Sequence, residues 1–201
     1  MIRCLLWDFG DTLADERWML TAPADAPDWV DVWSEIAGGE LADAWNTGAI
    51  DGPRVYRAVA TRLGISEKRV LDHVERCCHS ISFFREVMDV AARSRLSQAI
   101  VTVNPDGFSQ IIVPNYRLTE RFAAIVTSWQ EGTLDKGVMG HRALERLGGG
   151  ITPSESLLID NKEHNLRAWA AEGGRTYLFT TERQLIRDLS GPLAELAASC
   201  T

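Results

Sequence analysis

The sequence predicts an α/β fold, a parallel sheet core with an all-helical segment inserted after the first strand. Five short apolar runs of strand length recur along the chain, and helical patterns separate the later ones. Between the first run and the second lie about ninety residues, and their patterns are helical.

Residues 2–7 form the first run, apolar apart from Arg3, and they end at Asp8. Continuous runs of this kind suit strands buried on both faces of a parallel sheet. Helical patterns follow at 29–36, 40–46, 53–63 and 67–78, with another near 83–92; Pro53 and Ser66 are suited to start helices. A single crossover needs only about a dozen residues. The segment 16–87 is therefore expected to be a helical cap over the C-terminal edge of the sheet, where open α/β sheets bind ligands. The core domain then comprises 1–15 and 88–201.

The remaining strands are expected at 98–103, 123–127, 156–159 and 175–179, with helices at 108–113, 137–147 and 165–172. Gly173-Gly174 stops the last of these. Thr152-Pro153-Ser154-Glu155 and Thr181-Glu182-Arg183-Gln184 both have the form of a capping box at a helix start. The second precedes a C-terminal helical region broken near Gly191-Pro192. The glycine run 148–150 lacks the Lys-Ser/Thr of a P-loop and reads as a connector.

With 201 residues, 45% of them hydrophobic and 24% charged, the chain suits one soluble core with a modest insertion. A net charge of −7 argues against a nucleic-acid partner, which needs a clustered cationic surface, and leaves small anionic substrates open. Cys4, Cys77, Cys78 and Cys200 form no spaced framework, so reduced thiols are expected. Asp8 and Asp11 interrupt the only early apolar run, and no stretch has the length of a membrane span. These features predict a cytoplasmic protein with no membrane partner; they set no oligomeric state.

Four polar positions follow or end the expected strands: Asp8 the first, Thr102 the second, Lys136 the third and Asp160-Asn161 the fourth. Strand ends of a parallel sheet converge on one rim. An acid nucleophile, a hydroxyl, a cation and further carboxylate or amide oxygens suit phosphoryl transfer. The nucleophile attacks, the cation and hydroxyl hold phosphate oxygens, and the acidic side holds Mg²⁺.

In order and spacing, "WDFGDTL", "IVTVN", "GTLDKG" and "LLIDNKEHNLRAW" resemble the four motifs of the haloacid dehalogenase (HAD) superfamily, in the branch with a small helical cap after the first motif. "GAIDGPRVYRAVATRLGIS" and "IDNKEHN" are similar to sugar-phosphatase-like members whose fourth motif reads Asp-Asp-x-x-x-Asn. The resemblance implies a Rossmann-like core in which Asp8 is the nucleophile. Thr102 would bond a phosphate oxygen, with Asn104 beside it, and Lys136 would offset the charge of Asp8 and phosphate. Asp8, the carbonyl of Gly10 and the fourth-motif group, Asn161 or Asp160, would hold Mg²⁺. The implied activity is a Mg²⁺-dependent phosphatase acting on a small phosphorylated metabolite through a phosphoaspartate. A metal-independent 2-haloacid dehalogenase and a HAD-fold binding protein with impaired turnover are the alternatives.

Three departures bear on turnover. Gly10 stands where the superfamily has a second aspartate that protonates the leaving group and later activates water. Asp11 is one residue further on, and a one-residue shift redirects its side chain. Loss of a general acid typically costs about 10²–10⁴ in rate, so a preference for good leaving groups is expected. Asn161 places an uncharged amide at the main metal position, and Val103 interrupts the usual Thr-Asn pair. Elsewhere, His73, Cys77, Cys78 and His79 read as helix packing, and Trp29, Trp33 and Trp45 as cap core. Arg17 and Trp18 lie just beyond the first motif with no direction assigned.

Overall fold

Alternate residues of the first strand, β1 (Cys4–Trp7), enter two different apolar clusters. Leu5 and Trp7 join the cluster that also contains the cap residues, while Cys4 and Leu6 join Ala99, Val101, Met139 and Trp169 on the opposite face. A strand covered on both sides needs apolar residues at every position, which is why its pattern is continuous rather than alternating. β2 (Ser97–Thr102), β3 (Ala124–Thr127), β4 (Ser156–Asp160) and β5 (Arg175–Leu178) complete one parallel sheet in the order β3-β2-β1-β4-β5.

The computed structural model describes residues 1–189, apart from the side chains of Trp18 and Leu189. The expected break near Gly191-Pro192, and Cys200, lie outside the described residues. All five expected strands are present, with ends shifted by one or two residues. Pairing begins at Cys4 rather than residue 2, although Ile2 remains buried.

The chain between β1 and β2 is helical. After a 3₁₀ turn (Glu16–Met19) come α1 (Trp29–Glu35), α2 (Ala42–Asn46), α3 (Gly52–Leu63), α4 (Glu67–Cys78) and α5 (Arg85–Arg93). A wide turn at Ile36–Glu40, containing Gly38-Gly39, separates α1 from α2, so α2 starts two residues later than its pattern suggests. The caps follow the sequence closely. Asp51 accepts from the Arg54 amide and Ser66 from the Arg69 amide, which starts α3 and α4. Trp29 stacks on Trp33, whose ring meets Trp45, and Trp45 meets Tyr56. His73 packs edge-on against Trp29, and its Nε2 lies 2.8 Å from the carbonyl of Thr21. His73, Cys77 and Cys78 are thus buried in this packing, whereas His79, at the end of α4, is exposed.

Beyond β2, the helix expected over 108–113 is present, wound wider at π pitch over Phe108–Ile112 and continuing directly into α6 (Val113–Asn115). Pro114 lacks the amide proton that a regular α-helix would use there. α7 (Ser128–Glu131) and α8 (Lys136–Leu147) follow β3, α9 (Glu163–Ala171) follows β4, and α10 (Glu182–Leu189) ends the described chain. The capping box at Thr152 forms, but it opens only one 3₁₀ turn (Pro153–Glu155) before Ser156 enters β4. No helix among the described residues is long and apolar enough to cross a membrane.

The sheet order places the site. From β1 the chain runs outward through β2 to β3, then crosses to β4 on the other side of β1. The crevice at such a reversal, at the C-terminal strand ends, is where α/β sheets bind ligands. Asp8 follows β1 there, and Asp160 ends β4 beside it.

Candidate active site

β1 and β4 pair through Trp7 and Ile159, and the amide of Asp8 donates to the Ile159 carbonyl at 2.9 Å. That continued register sets the Asp8 and Asp160 carboxylates next to each other. Lys136 enters from the first turn of α8, whose start is fixed by Asp135 accepting from the Gly137 amide at 2.7 Å. The Lys136 ammonium donates to Val101 O at 2.5 Å and Asp8 Oδ1 at 2.7 Å, and lies 3.0 Å from Asp160 Oδ2. Its three protons therefore all have partners. The side chains of Lys136 and Asp160 are fully buried, and that of Asp8 is 8% exposed.

Burial disfavours charge on Lys136, but the attraction of Asp8 and Asp160 outweighs it and raises the pKa, so the ammonium is retained. Burial likewise pushes the Asp8 carboxyl up; Lys136 opposes that shift and Asp160 adds to it. Asp160 is held by more than Lys136. Its Oδ1 accepts from the Lys162 amide at 2.8 Å, and Asn165 Nδ2 reaches both carboxylate oxygens at 3.1 and 3.0 Å. Asn161, the next residue, has a buried Oδ1 with no hydrogen-bond partner. An orphaned acceptor of this kind calls for a cation, a water or a ligand donor.

The second-strand residues divide. Thr102 is 1% exposed, and its hydroxyl accepts from Asn104 Nδ2 at 2.9 Å. Asn104 itself faces a cavity of about 630 Å³ between the helical insertion and the sheet edge. Trp33 and Trp45 contribute aromatic walls to this cavity, and Gly10, Glu16 and Lys162 border it beside Asn104. Asp8, Lys136, Asp160 and Thr102 are thus brought to one rim, with Thr102 positioning Asn104.

Asp11 takes a left-handed conformation, φ 50°, and its Oδ1 accepts from the Glu16 amide at 3.0 Å. It builds the loop that returns the chain over Gly10. The Gly10–Ala14 bridge of this loop uses the Phe9 carbonyl and the Asp11 amide. A Cβ placed on Gly10 would lie 2.9 Å from Glu16 Cδ and 3.1 and 3.2 Å from its two oxygens. The Glu16 side chain is 49% exposed, with Oε2 3.9 Å from Lys162 Nζ. Partial burial raises its carboxyl; Lys162 opposes the shift and the charges of Asp8, Asp11 and Asp160 reinforce it. Arg17 is turned to Asp15, at 2.5 Å.

Sequence reasoning missed two residues. Glu16 was read only as the first cap residue, and its approach to Gly10 depends on the reversal at Asp11. Asp106, to which the sequence reading gave no role, is buried and joins core to cap. It accepts from Trp45 Nε1 and the Gly52 amide, both at 2.8 Å. The Pro105-Asp106-Gly107 stretch signals a turn, but nothing in it names the distant partners.

No family model and no curated protein sequence matches the chain. Solved structures do. L-2-haloacid dehalogenase from Xanthobacter autotrophicus, with chloropropionic acid covalently bound, superposes with a TM-score of 0.68 at 19% identity, over 99% of this chain and 88% of that one. A HAD family enzyme from Bacteroides thetaiotaomicron, in complex with magnesium and inorganic phosphate, gives 0.67 at 16% identity, over 90% and 95%. A further dehalogenase gives 0.68 at 14% identity, over 94% and 97%. With the parallel sheet, the helical insertion after β1 and the carboxylate–lysine–carboxylate rim already in place, these likenesses identify the architecture: the chain adopts the haloacid dehalogenase-like fold.

Proposed function

We propose that the protein is a HAD-type hydrolase that uses Asp8 as its nucleophile on a small phosphorylated metabolite. The reading rests on the Asp8–Lys136–Asp160 cluster at the topological crevice, under a cavity covered by the cap. Lys136 fixes one oxygen of Asp8 and neutralises its charge, leaving the second oxygen to form the new bond. In the phosphatase reading that oxygen attacks phosphorus, the bond from phosphorus to the leaving oxygen breaks, and water then hydrolyses the phosphoaspartate to regenerate Asp8.

The donor set suits Mg²⁺. Among the described residues no three His, Cys, Asp or Glu side chains converge as ligands. Asp8 and the orphaned Oδ1 of Asn161 nevertheless offer hard oxygen donors at the rim. Two carboxylates and one ammonium leave this cluster with a net charge of −1, which repels a phosphate dianion. Mg²⁺ held by Asp8 and Asn161 would supply the compensating charge.

A second reading needs no metal. In carbon–halogen cleavage Asp8 displaces halide, which departs without a proton, and aromatic walls at Trp33 and Trp45 suit the apolar carbon body of such a substrate. Assays of p-nitrophenyl phosphate with and without Mg²⁺, and of chloride release from 2-chloropropionate with and without EDTA, separate the two. Mg²⁺-dependent phosphatase activity that falls by about 10⁴-fold in Asp8→Asn is expected. EDTA-insensitive chloride release would replace the phosphatase reading with the dehalogenase one. Absence of Asp8-dependent turnover on either substrate would leave a binding protein.

A further inference from the structure

Displacement by Asp8 creates a demand for a proton at one place and its removal at another. The leaving oxygen of an unactivated ester cannot depart as an alkoxide, and the water that cleaves the phosphoaspartate must lose a proton. Both events occur on the cavity side of Asp8, because Lys136, Val101 and Asp160 close the other side. The titratable side chains bordering the cavity near Asp8 are few. Asp11 is committed to the Glu16 amide, Arg17 to Asp15, and Lys162 stands beside Glu16. Tyr56 and Cys78, on the cap wall, have their hydroxyl and thiol pushed up by burial, far above the range of a useful acid.

Glu16 remains, and its position is built. The chain reverses at Asp11, whose carboxylate holds the Glu16 amide. One residue earlier, the Asp15 amide donates to the Ser82 carbonyl at 2.9 Å. These two anchors aim the side chain back across Gly10, so that its carboxylate fills the space where a side chain on Gly10 would begin. The missing Cβ at Gly10 is what gives it room.

We propose that Glu16 is the general acid and base of the Asp8 reaction, its carboxylate delivered over Gly10 by the loop that follows. In the first half-reaction the bond from Asp8 to phosphorus forms, the bond from phosphorus to the leaving oxygen breaks, and the Glu16 proton passes to that oxygen, giving the alcohol and a Glu16 carboxylate. In the second, water attacks phosphorus, its proton returns to Glu16, and Asp8 and phosphate are released. Atoms and charge balance without a further reactant. The vacancy at Gly10 then imposes no preference for good leaving groups, contrary to the expectation from sequence.

The proposal rests on the phosphatase reading, and its test separates the two. Wild type, Asp8→Asn, Glu16→Gln, Glu16→Ala and the double variant Gly10→Asp/Glu16→Ala are assayed with Mg²⁺ on p-nitrophenyl phosphate and on ethyl phosphate. Glu16→Gln is expected to lose about 10²-fold or more on ethyl phosphate. With p-nitrophenyl phosphate it is expected to keep a rapid burst of one nitrophenolate per site, because that group leaves unprotonated, followed by slow turnover as the phosphoaspartate waits for a base. The double variant, which puts a carboxylate back from Gly10 itself, is expected to recover at least about tenfold over Glu16→Ala on ethyl phosphate. Asp8-dependent turnover with Glu16→Gln equal to wild type on both esters would overturn the role of Glu16 alone. A uniform loss on both esters, without a burst and without recovery in the double variant, would assign Glu16 a purely structural role and overturn it too. No Asp8-dependent turnover in wild type would overturn the phosphatase reading and the proposal together.

Discussion

Replacing Lys136 with methionine removes the only positive charge between two buried carboxylates while keeping most of the side chain's volume. At an effective dielectric of about 20, the contacts at 2.7 and 3.0 Å are worth roughly 6 and 5.5 kcal/mol of Coulomb attraction. Against this, the variant no longer pays several kcal/mol to desolvate the ammonium. Stranding a buried charge by removing its partner costs about 3–5 kcal/mol net, and Lys136→Met is expected to fall in that range near neutral pH. The loss has a pH signature. Without Lys136 the Asp8 carboxyl is raised further above its unfolded value, so the folded variant binds more protons than the unfolded chain. The penalty is then full above that raised pKa and shrinks as pH falls through it. Urea unfolding of wild type and variant at about pH 5 and about pH 8, compared at equal m-values, measures both quantities. Adding Asp8→Asn to Lys136→Met removes one stranded charge and should restore about 1–3 kcal/mol. A loss under about 1 kcal/mol, unchanged between the two pH values, would mean that the cluster is solvated like a surface pair and would refute the reasoning.

Asn161→Asp adds a carboxylate beside the Asp8–Lys136–Asp160 cluster and should tighten Mg²⁺ binding roughly tenfold, read by calorimetry with Mg²⁺ alone. Unchanged affinity would remove Asn161 from the metal site. Asp106→Ala leaves Trp45 Nε1 and the Gly52 amide without their acceptor and should cost about 2–4 kcal/mol in urea unfolding, with earlier proteolysis of the cap. Gly174→Ala would set a Cβ 2.1 Å from Trp169 Nε1 and should destabilise by about 1–3 kcal/mol, whereas Gly64→Ala, with open space but φ 67°, should lose only about 1 kcal/mol.

Strands and cap were legible because burial on two faces writes a continuous apolar run and because a segment of about ninety residues with helical patterns is far longer than one crossover needs. Lys136 was legible for the same reason: it follows a strand end that must reach the common rim. Ends and turns were less so. The Thr152 box marks a chain reversal correctly, but Ser156 and its apolar successors pair with β1 at once, and the ladder overrides the helix start. Glu16 was hidden because its neighbourhood is made by two anchors, Asp11 with positive φ and Ser82 some seventy residues later. Two short acids, Asp11 and Asp15, flanking a glycine-led loop were the available signal for a double reversal. Thr102 shows the opposite limit: its place at the rim was readable, but the hydrogen bond its hydroxyl accepts from Asn104 was not.

The tether from Lys136 to Asp8 Oδ1 also has a stereochemical consequence. With one oxygen pinned, bond formation is restricted to the other, and attack comes from a single direction. A thiophosphate ester made chiral at phosphorus with two oxygen isotopes and hydrolysed in water of the third would undergo two in-line displacements at the same phosphorus, first by Asp8 and then by water, and would release chiral inorganic thiophosphate with its configuration retained. A chiral 2-chloropropionate would be displaced once at carbon; water would then open the resulting ester at its carbonyl, so the hydroxy acid would carry the inverted configuration. The handedness of the product thus reports which atom Asp8 attacks, independently of rate, metal or leaving group.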